Sequence, residues 1–212
     1  MFPRYKSAMQ TKSKSRNIFD VANCDEELVS PVWIYIEPEA SPDYSNSESN
    51  LCATTASNVY VDPNINQECL DDGCGTEQNP FKTIARTFEM INPTEDNPIT
   101  INLAANTYSP ETGESFPINM MSNVNIEGED ELTTILDAMQ TGRVITMDGC
   151  DNNIISDLTL TGGLAEGDYP DNRGGGMYLY NSNPTLTHVT ISNNMASIFG
   201  GGMSLVSSDP IL

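Results

Sequence analysis

Gly174-Gly175-Gly176-Met177-Tyr178-Leu179 returns twenty-six residues later as Gly200-Gly201-Gly202-Met203-Ser204-Leu205, and the same offset pairs Pro184 with Pro210 and Leu186 with Leu212. A chain that repeats itself at a period of this order is a stack of similar units, a solenoid. The residues inside the repeat decide its type. They are Thr, Val, Ile and Leu in short alternating runs, punctuated by Gly, Asn and Ser, which is strand and turn chemistry. The expected fold is therefore an all-β solenoid whose coils bury their apolar positions only against the coils on either side.

Three windows align on this pattern: Met121 to Gly128, Ile155 to Gly162 and Leu186 to Asn193, each apolar at its first, fourth and sixth places. Each ends on Gly or Asn, the residues that tolerate a left-handed backbone and so turn a strand through a corner. The alignment predicts one inward file of Val124, Leu158 and Val189, and one outward ladder of Asn123, Asp157 and His188. Successive windows are offset by thirty-four and thirty-one residues. Coils thus differ by insertions such as Ala165 to Asn172, which belong on the outside. From Ile99 to Leu212 there is room for roughly four coils. Leu212 falls on the first inward position of a coil and no polar cap follows it, so the β-helix reads as C-terminally incomplete.

Three segments are expected: a basic tail and irregular linker over 1–58, a cap over 59–98, and coils over 99–212. Phe81, Ile84, Ala85, Phe88 and Ile91 are spaced as one face of a helix. A helix there would cover the apolar end of the first coil, as solenoid caps do. The formal net charge is −21, although residues 1–19 hold five cations and no acid until Asp20. Such a body excludes a nucleic-acid partner, since phosphates are held by clustered Lys and Arg. Neither a secretory signal nor a transmembrane helix is legible, the one early apolar run, Val32 to Ile36, being too short and too deep.

Of the five cysteines, Cys69 and Cys74 enclose a Leu-Asp-Asp-Gly turn and are the disulfide candidates. That pairing implies an oxidising compartment. Asp62, Asn64, Asp71 and Asp72 offer hard oxygen ligands in one short stretch, the donor set calcium prefers. The Asp-x-Asn-x-Asn start imitates a calcium loop, but Gln67 stands where such a loop needs glycine.

The order of parts is also familiar. Tyr60-Val61-Asp62, Gly75-Thr76 through Asn79-Pro80-Phe81-Lys82-Thr83-Ile84, Asn106-Thr107-Tyr108, Phe116-Pro117-Ile118 and Val124 to Gly128 together resemble the opening of right-handed parallel β-helices of the pectin-lyase-like superfamily. The stretch looks most like a domain of unknown function that begins many secreted β-helices and is itself similar to family-nine pectate lyases. The later Gly-Gly-Gly-Met and Asn-Asn repeats resemble those of polymorphic outer-membrane proteins. The resemblance covers residues 59–212. It implies an N-terminally capped right-handed parallel β-helix with an extracellular or cell-surface location, and polysaccharide as the ligand class.

A lyase on such a scaffold needs a basic side chain beside carboxylates that hold calcium. After Lys82 the chain has no lysine, and only Arg143 and Arg173 lie in the coils. Arg173 sits in the insertion among Glu166, Asp168 and Asp171, where a surface charge pair is the plain expectation and a substrate clamp the sharper one. The Gly-His-Gly and Arg-x-Lys patterns of related glycoside hydrolases are absent, and His188 beside Asp157 reads as a ladder contact before an acid–base pair. No catalytic residue is assigned. The expected function is a non-enzymatic scaffold for binding or display, with polysaccharide as partner. The alternative is a calcium-dependent polyuronate lyase or a related carbohydrate-active enzyme.

Overall fold

A computed structural model describes residues 56–65 and 73–212. Thirteen strands and one short α-helix follow each other in the order β1 (Asn58–Val61), α1 (Ile84–Met90), β2 (Ile99–Leu103), β3 (Thr107–Tyr108), β4 (Ile118–Asn119), β5 (Val124–Gly128), β6 (Ile135–Asp137), β7 (Ile145–Asp148), β8 (Ile154–Thr161), β9 (Leu164–Ala165), β10 (Met177–Tyr180), β11 (Thr185–Ile191), β12 (Met195–Ala196) and β13 (Met203–Val206). Every strand pairing is parallel. The chain coils through about four turns of a parallel β-helix.

Register stacks like on like. Val59, Ile101, Ile126, Ile155 and Leu186 form one inward file across five strands. Tyr108, Leu136, Leu160 and Ile191 form a second, and Ile118, Ile145, Met177 and Met203 a third. The triple-glycine repeat lies in register with itself, Met177 over Met203 and Leu179 over Leu205. Gly175 needs its missing side chain: a Cβ there would collide with the carbonyls of Met195 and Gly201 in the next coil.

Left-handed residues turn the corners, and they recur in columns. Gly149, Asn181 and Ser207 follow the paired ends of β7, β10 and β13, and Gly162 and Asn193 occupy equivalent places after Thr161 and Ser192. Asn side chains at corners bond the adjoining coil. Asn194 accepts from the Gly163 amide at 2.7 Å through Oδ1 and donates to the Leu160 carbonyl at 2.9 Å. These corner bonds satisfy backbone groups that the strand ladders leave over.

The expected cap is present. Thr83 caps α1, its Oγ1 accepting from the Arg86 amide at 3.1 Å. Ile84 and Phe81 are buried against the first coil. Glu114 reaches in from the coil and accepts from the amides of Ile84 at 2.6 Å, Ala85 at 3.1 Å and Ser115 at 3.1 Å. A carboxylate buried to 4 % exposure is tolerable here because it faces the orphan donors of a helix start.

The file predicted from the three windows is corrected by the register. Leu158 does pair with Val189, but Val124 pairs with Ile99, and Ile126 is the residue over Ile155. In the coil of β5 and β6 the chain leaves the sheet between Gly128 and Thr134. In the next coil β8 runs straight through, bending at the left-handed Asp157 so that its first half pairs with β5 and its second with β6. Val124-x-Ile126 before this bend has the same apolar spacing as Leu158-x-Leu160 after it, so the pattern equates two positions that the register keeps apart.

Candidate functional site

With the register fixed, the outward residues fall into place. Tyr60, Asn102, Glu127, Ser156 and Thr187 form one polar file across β1, β2, β5, β8 and β11, alternate to the aliphatic file beneath it. Neighbours in such a file stand about 4.8 Å apart. All five are half-buried or exposed. At its cap end the file borders a groove of about 470 Å³, whose polar lining is Tyr60, Asp62, Glu77, Asn102, Glu127 and Glu129. Among the described residues, no Lys or Arg lines it. Behind the groove Tyr108 donates from its hydroxyl to the carbonyls of Val61 at 2.9 Å and Ala104 at 3.0 Å. Burial, reinforced by the charges of Asp62, Glu114 and Glu129, pushes this phenol far above its usual pKa, so it stays neutral.

The predicted ladder is split. His188 Nδ1 lies 3.0 Å from Asp157 Oδ1, both residues being left-handed and their side chains 72 % and 35 % exposed. Asn123 is not with them. It stacks on Asn152, another left-handed residue, whose Nδ2 donates to Asn123 Oδ1 at 3.0 Å. The place beside Asp157 in the preceding coil belongs to Gly128, where a Cβ would strike the Asp157 carbonyl.

Of the predicted calcium ligands, Asp71 and Asp72 lie outside the described residues. Asp62 turns its Oδ1 back onto the Asn64 amide at 2.9 Å, closing an Asx turn. Among the described residues no group of three or more His, Cys, Asp or Glu is arranged to hold a metal ion. Cys74 is buried and disulfide-bonded, while Cys69 lies outside the described residues. Cys150 is free and buried, its thiol pushed up in pKa by burial.

The insertion after β9 is built differently from the expected surface charge pair. Arg143, 8 % exposed, enters from the coil below and donates Nη2 to the carbonyls of Pro170 at 2.9 Å and Arg173 at 2.8 Å, and Nε to that of Gly174 at 3.3 Å. Its guanidinium also lies 4.8 Å from the Tyr178 ring centre, and Asp171 stands 3.8 Å away. Burial lowers the Arg143 pKa, with Asp171 opposing. Desolvation, with the neighbouring Tyr169 adding to it, pushes the Tyr178 phenol up to about 12. Arg143 thereby fastens the loop to the coil.

What the loop presents is Arg173. It makes no ion pair among the described residues; instead its guanidinium lies between two rings, 5.0 Å from the centre of Tyr169 and 4.8 Å from that of Phe199. Both aromatic residues remain more than half exposed, as does Ile198 beside them. Tyr169 and Phe199 were not among the sequence candidates. The signal was nonetheless available, because the twenty-six-residue repeat places Phe199 directly over Arg173 and the two form a parallel bridge.

Fold and surface together define a capped parallel β-helix with polar and aromatic side chains displayed in register along its flanks. A family described as Protein of unknown function (DUF1565) matches residues 69–208, well over half of the chain. The chain belongs to this family, one associated with β-helix proteins. No curated protein and no solved structure matches it significantly.

Proposed function

We propose that this chain is a non-enzymatic scaffold that binds or displays polysaccharide at an extracellular or cell-surface location. The observation that carries this reading is the registered file of Tyr60, Asn102, Glu127, Ser156 and Thr187 with the groove at its end. A row of hydroxyl, amide and carboxylate groups at constant spacing, fixed by a backbone ladder, suits an extended polymer that presents hydroxyls at regular intervals. Its donors and acceptors are held in place before the ligand arrives, which lowers the ordering cost of binding. The likeness of the cap motifs to pectin-lyase-like β-helices supports the same ligand class.

The four carboxylates lining the groove, with no cation among them, favour neutral chains over anionic ones. The full chain is expected to bind immobilised neutral polysaccharide on a glycan array, and Asn102→Ala combined with Glu127→Ala is expected to weaken that binding. Absence of binding to every polysaccharide on the array would overturn the reading.

One observation favours a second reading. Asp157 and His188, in contact on the same sheet, have the composition of an acid–base pair. If the chain is a calcium-dependent polyuronate lyase, polygalacturonate with calcium yields an unsaturated product absorbing in the ultraviolet. The scaffold reading predicts none.

A further inference from the structure

We propose that Tyr169, Arg173 and Phe199 form a stacking subsite for a neutral sugar ring, separate from the polar file and resting on the polysaccharide reading above. Two observations meet at this place. The first is geometric. Phe199 sits one coil above Arg173 in parallel register, and Tyr169 closes on the guanidinium from the loop, so two aromatic rings flank one planar cation at 4.8 and 5.0 Å. The cation orients the rings, yet leaves Tyr169 58 % and Phe199 59 % exposed. Two large aromatics held in place and left open to water form a surface that is well ordered and poorly hydrated. Such surfaces mark ligand contacts.

The second observation is rigidity. Loops of this length ordinarily move. This one is tied down by the Arg143 bonds to the carbonyls of Pro170 and Arg173 and by the Ile198 amide, which donates to the Asn172 carbonyl at 3.1 Å. A buried arginine thus holds a loop whose own outward residues do nothing for the core.

Charge selects the class of sugar. Arg173 is the one coil cation that is neither buried nor ion-paired among the described residues, in a chain of net charge −21. Glu166, Asp168 and Asp171 share its loop. An anionic glycan would gain one guanidinium and face three carboxylates, so the ligand is a neutral glycan, gripped by stacking on the two rings.

The test is affinity electrophoresis of the full chain through gels containing soluble galactomannan, xyloglucan or dextran, with polygalacturonate as the anionic comparison. At least one neutral polymer is expected to retard the chain. Phe199→Ala and Tyr169→Ala are each expected to weaken that retardation about tenfold, as the loss of one stacking contact does. Because both residues are exposed, urea unfolding midpoints should stay at the wild-type value, which excludes misfolding as the cause. Retardation by a neutral polymer that survives both substitutions would overturn the subsite and leave polysaccharide binding intact. Retardation by polygalacturonate alone would likewise overturn it. No retardation by any polymer would remove the function reading together with the subsite.

Discussion

The first and last coils of the stack show how much of the stability of this fold is borrowed from neighbours. At the first end Val59 is 0 % exposed, with Phe81, Ile84 and α1 packed nearby. In the last coil, β11 to β13, Leu186 stays 5 % exposed beside the Ile211 bridge, while the other inward positions open to water: Val189, Ile191 and Met203 are half-buried, and Leu205 is 47 % exposed although its register partner Leu179 is 0 %. The residue types hardly change. What changes is whether a further layer lies over them. A solenoid position has no intrinsic burial; it acquires one from the coil above and the coil below.

The comparison can be broken most severely in the middle of the stack. Leu158 is 0 % exposed and covered on both sides, so Leu158→Asp places a carboxylate where nothing can pair with it. The expected cost of several kcal/mol exceeds what a domain of this size can spare. Loss of the cooperative urea transition checks it, and a variant with a wild-type midpoint would contradict the packing described here. Next in size is the cap. Glu114→Ala leaves three backbone amides without their acceptor, two of them at the start of α1. A destabilisation of about 2–4 kcal/mol is expected, from about 1–3 kcal/mol per stranded group with partial compensation by water. Faster proteolysis of the cap than of the coils would place the effect there.

A smaller effect tests the coil-to-coil approach itself. Gly128→Ala sets a methyl group against the Asp157 carbonyl and the Thr134 side chain, and the backbone must shift to accept it. About 1–3 kcal/mol of lost stability is expected, measured by urea unfolding. If Gly128→Ala is neutral, the two coils are farther apart at this bend than the register implies.

Much of this arrangement was legible from residues alone, and the reasons are local. The triple-glycine repeat names its own partner twenty-six residues on, because Gly175 and Gly176 are demanded by close backbone contact with the next coil and Gly174 and Gly200 by a left-handed turn. The cap helix was legible because its apolar spacing is helical inside a strand-rich chain. Asn123 was misplaced for an equally physical reason. A single left-handed residue in β8 does the work of a loop between β5 and β6, so Val124-x-Ile126 before the bend and Leu158-x-Leu160 after it share one apolar spacing, which pattern alone aligns. The aromatic pair escaped notice because Tyr169 belongs to an insertion that breaks the repeat, and only Phe199 is reachable by counting.

The mildest substitutions sharpen the contrast from the uncovered side. Leu205→Asn occupies the same file as Leu179→Asn, one coil away, and differs from it only in having no layer above. If burial is borrowed, Leu205→Asn should shift stability by no more than about 0.5 kcal/mol, as exposed positions do. Leu179→Asn should cost several times as much, since its amide would be buried without an assigned partner. His188→Ala belongs with the former. Its bond to Asp157 joins a largely solvated imidazole to a half-buried carboxylate, and pairs this open to water are worth about 0–1 kcal/mol. Urea midpoints for the three variants, measured side by side, order them directly. Equal losses for Leu205→Asn and Leu179→Asn would mean that the outer coil is covered in solution by something that buries it as fully as the interior.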